Sequence, residues 1–360
     1  MLGPICWVSV VMSRFNKFFV GGIGIAVGLL VSVFVIKIQG NSPAEVYRVL
    51  FDYSIASSFS WISTLDNTTP LILTGLSAAI AWRAGAINLG QPGQFLMGAI
   101  VAALLGIYLP FPGWISIPVI LTASALGGAL WSGFAALMRQ RYGMDEFVST
   151  LMLNFIAEYS TTYLVTYPFL DPKAYVASTV AIKKAFTLST VNQFNEGFYV
   201  AVAVAVVSWW VVEKWRIGYE WEMMGLNLRF ARVGGCKVSD NYMWVMLYSG
   251  ALSGLAGGLL ILGGTQHRFM KGIGGNFGWD GVMLAMIGNN DVSMTALFAL
   301  FFGALKSGGI GMEFETGVPS EFIMVMEAVI VVSVVATRSV IEFYGGRVKA
   351  FLKARKVVKR

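Results

Sequence analysis

Charge and histidine are what this sequence has least of. Only 12% of its 360 residues are Asp, Glu, Lys or Arg, against roughly 25% in soluble domains. There is a single histidine, His267, and there are two cysteines, Cys6 and Cys236. One histidine cannot build a His-based zinc site or a proton relay, and two cysteines in unlike segments offer neither metal-ligand spacing nor a disulfide framework. P-loop, GxSxG and HExxH patterns are absent, as is any nucleotide-binding signature; if ATP drives this protein, a separate chain binds it. What is present is apolar: 56% hydrophobic residues, 14% aromatic residues and 41 glycines. That composition excludes a soluble globular protein and a disordered chain, and suits helices packed in a bilayer.

The net charge of +7 is carried by the last stretch, residues 338–360, which hold eight Lys or Arg and one acid, Glu342. A basic tail directly after an apolar helix reads as a cytoplasmic anchor held by anionic lipid, and nucleic-acid binding is set aside on that ground. Apolar runs near the length of a spanning helix occur at 18–38, 94–109, 114–138, 147–168, 198–212, 242–262 and 322–337. Three more, at 69–82, 279–288 and 294–305, are short or interrupted. The expectation is an all-α polytopic membrane protein of about ten transmembrane helices, with eight to ten allowed: one transmembrane domain over 1–337 and the tail, 338–360. With both termini in the cytoplasm, 18 of the 26 basic residues face inward, as the positive-inside bias requires. The apolar opening, residues 1–11, precedes Arg14 and Lys17 and lacks the charge order of a signal peptide.

Two connections are longer than turns. The outward loop 170–197 is polar and mixed, and reads equally as a docking surface or lid and as a solvated linker. The inward loop 213–240 contains helical spacing with Met223, Met224, Leu226, Phe230 and Val233 on one apolar side, which predicts a short cytoplasmic helix.

Polar residues at bilayer depth are costly and therefore informative. One set lies in WRAGAINLGQPGQ, residues 82–94, where Gly85, Gly90, Pro92 and Gly93 break a helix beside Asn88, Gln91 and Gln94. The other lies in GIGGNFGWDGVMLAMIGNN, residues 272–290, with Asn276, Trp279, Asp280, Asn289 and Asn290. Paired interrupted segments, one in each half, point to a solute path, because non-helical backbone at membrane depth is tolerated only where it lines a cavity or is buried in protein. Close helix packing is the competing explanation. Neutral amides with an aromatic such as Trp279 suit a hydroxyl-rich solute with stacking faces better than an ion. Glu158, Asp280 and Glu327 are the acids available to an ion-coupled carrier; Glu158, one turn after Asn154, reads first as a structural hydrogen bonder.

Four stretches, AWRAGAINLGQPGQFLMGA (81–99), DEFVSTLMLNFIAEY (145–159), GYEWEMMGLNLRFARVGG (218–235) and GNFGWDGVMLAMIGNN (275–290), resemble the permease subunits of bacterial ABC importers for sugars and nucleosides. The resemblance is nearest to the nucleoside-type branch that works with a basic-membrane-protein lipoprotein. Pro92 replaces a usual acid, Glu222 a usual Arg, Leu228 a Pro and Phe230 a small residue, whereas Gly225, Asn227, Ala231 and Gly235 match. The resemblance implies an inner-membrane transport subunit without bond chemistry of its own, giving an alternating-access path to a nucleoside or related solute, with ribose or another sugar as the alternative. The path candidates are Asn88, Gln91, Gln94, Asn154, Asn276, Trp279, Asp280, Asn289 and Asn290. A coupling helix at 227–235 is implied to meet an ATPase through Met224, Gly225, Asn227, Phe230, Ala231, Val233 and Gly235. It further implies a cytoplasmic ABC ATPase that binds ATP and Mg, a second homologous permease chain, with a heterodimer favoured over a homodimer, an extracytoplasmic solute-binding lipoprotein, and no cofactor or metal in this chain.

Overall fold

The computed structural model describes residues 4–38, 40–191 and 194–357, so Lys359 and Arg360 of the expected tail lie outside the described residues. The chain divides into two compact units. The first joins residues 1–53 to 309–360 and is built on α1 (Pro4–Ile38), α2 (Pro43–Phe51) and α13 (Phe322–Val357). Here α1 and α13 lie face to face: a Cβ on Gly28 would come within 2.7 Å of the Ile330 Cα, so only glycine admits that approach. The Tyr47 hydroxyl donates to the Leu29 carbonyl at 2.7 Å and ties α2 to α1. The basic tail is not a separate coil, since α13 continues through it to Val357.

The second unit, residues 54–308, holds α3 (Ser58–Arg83), α4 (Gln91–Tyr108), α5 (Gly113–Tyr142), α6 (Glu146–Thr166), α7 (Glu196–Lys214), α8 (Arg216–Leu226), α9 (Leu228–Val233), α10 (Val238–Gly263), α11 (Phe277–Ile287) and the first part of α12 (Val292–Thr316). Its centre is α10, packed on α5, α4 and α3. Local chemistry sets the ends. Gly143, at φ +67°, closes α5, and Asp145 then caps α6 by accepting the Phe147 and Val148 N–H groups. Asn195 caps α7 in the same way through Gly197.

Each of the ten expected apolar ranges falls on one helix, among them α3, α11 and α12 for the three short ones. Seven of the helices are long and apolar enough to cross a membrane. By the same measure α3 and α6 are too polar and α11, at 11 residues, is too short. Lys306 departs from expectation. It sits within α12 rather than in an outward loop, and its ammonium meets the buried Asp280 carboxylate at 2.7 Å.

The outward loop is no solvated linker. Phe186 and Ile182 are buried against α4 and α10, and Ser178 bridges Met270 antiparallel. Backbone bonds from Thr179 to Phe269, Ile182 to His267 and Lys271 to Ala177 lock it to the segment that follows α10.

Candidate functional site

The two interrupted segments meet in the middle of the second unit. After Arg83 the chain leaves the helix and turns at Gly85, at φ +78°, before α4 starts at Gln91. After α10 it runs through turns at 271–276 until α11 starts at Phe277. The junction is close: a Cβ on Gly278 would lie 2.5 Å from the Pro92 backbone nitrogen, and the Phe95 and Phe277 rings stack at 6.1 Å. At about 1.5 Å per residue α11 is roughly 16 Å long, about half of a bilayer core, and the segment before it is a run of turns.

A cavity of about 270 Å³ opens at this junction. Its floor is Pro92, Phe95 and Leu96 of α4; one wall is Glu158, Thr161 and Thr162 of α6; the opposite side is Phe269, Lys271, glycine backbone, Asn276 and Trp279. Trp279 is 40% exposed and offers a ring face. Glu158 and Lys271 are exposed, and neither side chain bonds to another described residue.

Of the path candidates, Asn276 and Trp279 line this cavity. Asn88 and Gln94 instead form a buried reciprocal amide pair: Gln94 Nε2 donates to Asn88 Oδ1 at 2.9 Å, and Asn88 Nδ2 donates to Gln94 Oε1 at 3.2 Å. Asn88 also donates to Ser249 at 2.8 Å and accepts from the Gly90 N–H. Asn154 spans the break, accepting from Gly93 N–H at 2.9 Å and donating to the Leu89 carbonyl at 2.8 Å. Thr150 takes the Leu89 N–H, and Trp82 Nε1 donates to the Asn88 carbonyl. These groups replace the hydrogen bonds that the broken helix lost. The Gln91 amide is buried without a hydrogen-bond partner among the described residues. Asp280 is engaged by Lys306. Asn289 and Asn290, at φ +55° and +57°, make the turn from α11 to α12, a left-handed conformation that Asn tolerates better than most residues.

Sequence reasoning missed Glu158, Thr161 and Thr162 as a group. Their i, i+3, i+4 spacing, a polar stripe along an apolar helix, was the available signal.

The loop 213–240, expected to face inward, folds as two short helices. Asn227 ends α8 and caps α9, accepting the Phe230 N–H at 3.0 Å; Gly235, at φ +86°, stops α9. The expected apolar side divides. Leu226, Phe230 and Val233 are exposed, Val233 at 88%, whereas Met224 and Ala231 are buried within this chain at 4% and 1%. Met224 thus packs within this chain, on the wall of a cavity beside the end of α3. Gly225 abuts the Arg83 carbonyl so closely that no Cβ fits there. Arg83 closes the joint, pairing with Glu213 of α7 at 2.8 Å and Glu222 of α8 at 3.1 Å. Bonds from Asn241 and Arg216 fasten Glu220 to the start of α10 and hold its carboxyl below the usual glutamate range. Beside this joint a second cavity of about 370 Å³ reaches Arg139 and Tyr242.

The sequence is similar to those of several transport proteins. The guanosine ABC transporter permease NupP of Bacillus subtilis is 30% identical over 94% of this chain and 98% of its own length. The nucleoside ABC transporter permease NupB of Lactococcus lactis is 27% identical over 97% and 98%. The glucose ABC transporter permease TsgB13 of Haloferax volcanii is 28% identical over 82% and 81%. No solved structure matches the chain. Residues 61–335, the span that contains both interrupted segments and the α8–α9 pair, match the family described as branched-chain amino acid transport system, permease component, and the chain belongs to that family.

Proposed function

We propose that this chain is the membrane subunit of an ABC importer that passes a nucleoside through the cavity between α4, α6 and residues 269–279. The observation that carries the reading is the meeting of the two helix breaks around aromatic rings and polar side chains. Rings stack on a base, and the threonines and Asn276 suit ribose hydroxyls. The nucleoside permeases among the relatives support it; the glucose permease keeps a sugar as the second reading.

Energy comes from ATP and Mg bound on a separate cytoplasmic ATPase, which takes Phe230 and Val233 of α9 in a groove. Movement of that groove would reach the cavity through α8, the Arg83 joint and the braced segment 84–90, which is continuous with Pro92 and Phe95. The sequences of a second guanosine permease of B. subtilis and a second nucleoside permease of L. lactis also resemble this chain, which supports a heterodimer. We place the second permease chain against the side of α6 that exposes Tyr159, Ser160 and Tyr163, whose hydroxyls lipid does not satisfy. The distribution of basic residues supports cytoplasmic termini, and a lipoprotein receptor would deliver solute at the packed outward loop.

The test is uptake of labelled guanosine, uridine, ribose and glucose by proteoliposomes holding the permease pair, its ATPase and its receptor. Nucleoside uptake that needs ATP and survives collapse of the proton gradient is expected. Uptake of sugar alone would move the reading to a sugar importer, and uptake without ATP would replace it with an ion-coupled carrier.

A further inference from the structure

We infer that Glu158, with Lys271 across the same cavity, selects the guanine-type base edge, making Glu158 a specificity determinant of this permease. The inference rests on the nucleoside reading above. Glu158 projects from α6 with Thr161 and Thr162, facing a cavity whose other walls carry Phe95 and Trp279. An intramembrane acid normally has a partner. Asp280 follows that rule through Lys306, and Glu158 does not: its carboxylate has no hydrogen bond or ion pair among the described residues. Lys271 stands on the cavity's glycine-rich side and is likewise uncommitted.

An ionised carboxylate accepts hydrogen bonds only, and an ammonium donates only. The cavity thus presents two acceptor oxygens and a donor. Guanine offers the complement along one edge: the 2-amino group and N1–H as neighbouring donors, then O6 as acceptor. Hypoxanthine keeps N1–H and O6 but lacks the amino group. Adenine sets an acceptor nitrogen where the carboxylate needs a donor, and uracil flanks its single N–H with two carbonyls. Once a solute closes over these exposed groups and displaces their water, one left facing the wrong partner loses more than the missing bond, so the site discriminates.

The experiment measures initial uptake of guanosine, inosine and adenosine at equal subsaturating concentrations by the reconstituted complex. The same receptor and ATPase are paired with wild-type permease, Glu158→Gln, Glu158→Asp or Lys271→Gln. Because the receptor is constant, a changed ratio belongs to the permease. In Glu158→Gln the guanosine-to-adenosine ratio is expected to fall at least tenfold and guanosine to lose its advantage over inosine. Glu158→Asp should retain most of the preference. Lys271→Gln should depress guanosine and inosine together, since both present O6. Unchanged ratios in Glu158→Gln, or an equal fall for all three solutes, would overturn the inference while leaving nucleoside transport standing. Wild-type complex that carries none of the three would overturn both. If Glu158→Gln does not assemble, Glu158→Asp decides: loss of preference there, with assembly intact, would refute the carboxylate's role as a chemically specific acceptor.

Discussion

At the scale of single residues, the amides around the first helix break are held by one another and by the backbone. Asn88 serves Gln94, Ser249 and the Gly90 N–H at once, and Asn154 serves both sides of the break. Replacing either with Ala strands buried donors and acceptors at a cost of about 1–3 kcal/mol each. The expected outcome is a lower unfolding temperature of the purified complex, with transport declining in step with assembly. Asp280→Ala should be more damaging, about 3–5 kcal/mol, because it leaves the Lys306 ammonium without its carboxylate. The double variant Asp280→Leu, Lys306→Met should recover much of that loss in the same melting measurement. These roles also show how far residue-level reading reaches. The sequence marked the amides as consequential because polar groups at membrane depth always are, but spacing does not say whether an amide faces a solute or its own exposed backbone. Asn154 and Glu158 are one turn apart, and only the fold sends one to the backbone and the other to the cavity.

Among the elements, α9 and α8 divide the labour that a single amphipathic pattern had suggested. The pattern correctly located a short helix in this loop, but it treated Met224 and Phe230 as one apolar face. The break at Asn227 separates Met224, buried within the chain, from the exposed Phe230 and Val233. Phe230→Asp should therefore abolish solute-stimulated ATP hydrolysis in nanodiscs, since it places a charge in the proposed ATPase contact, while the permease stays in the membrane. Glu222→Lys sets a cation beside Arg83 and opens the joint from the other side. Its expected signature is ATP hydrolysis that continues without responding to solute. Glu220 gives the pH dependence. Its folded value is lowered, chiefly by Asn241 and then by Arg216, so its contribution to docking α8 is complete above the ordinary glutamate value of about 4.3 and is lost as pH falls through the lowered one. Amide exchange in α8 should accelerate only below that range, and Glu220→Gln should remove the acceleration. Helix α3 begins at Ser58, well before the apolar run at 69–82, because Thr68 and Thr69 return their hydroxyls to the carbonyls four residues back. Hydropathy alone does not register a polar turn satisfied in this way.

For the molecule as a whole, the alternation of basic residues predicts that cysteines placed at Lys183 and Arg232, in a version lacking Cys6 and Cys236, label from opposite sides of the membrane; labelling from one side would remove the ten-span arrangement. The apolar runs made the positions of the long helices along the chain legible, because each run fits the length of a spanning helix. The outward loop was not legible, since its polar composition conceals Ile182 and Phe186, which anchor it. The pairing of Asp280 with Lys306 has one more consequence, for how the protein enters the membrane. Helix α11 has 11 residues and carries the acid; α12 carries the base. Presented singly to the insertion machinery, one is too short to hold itself in hydrocarbon, and the other bears a charge costing about 2.5–3.5 kcal/mol at a helix centre. As a hairpin closed by the Asn289–Asn290 turn they arrive with their charges matched. Biogenesis of this region is thus a two-helix event, and a nascent chain halted before Lys306 should wait at the lateral exit until the second helix is made.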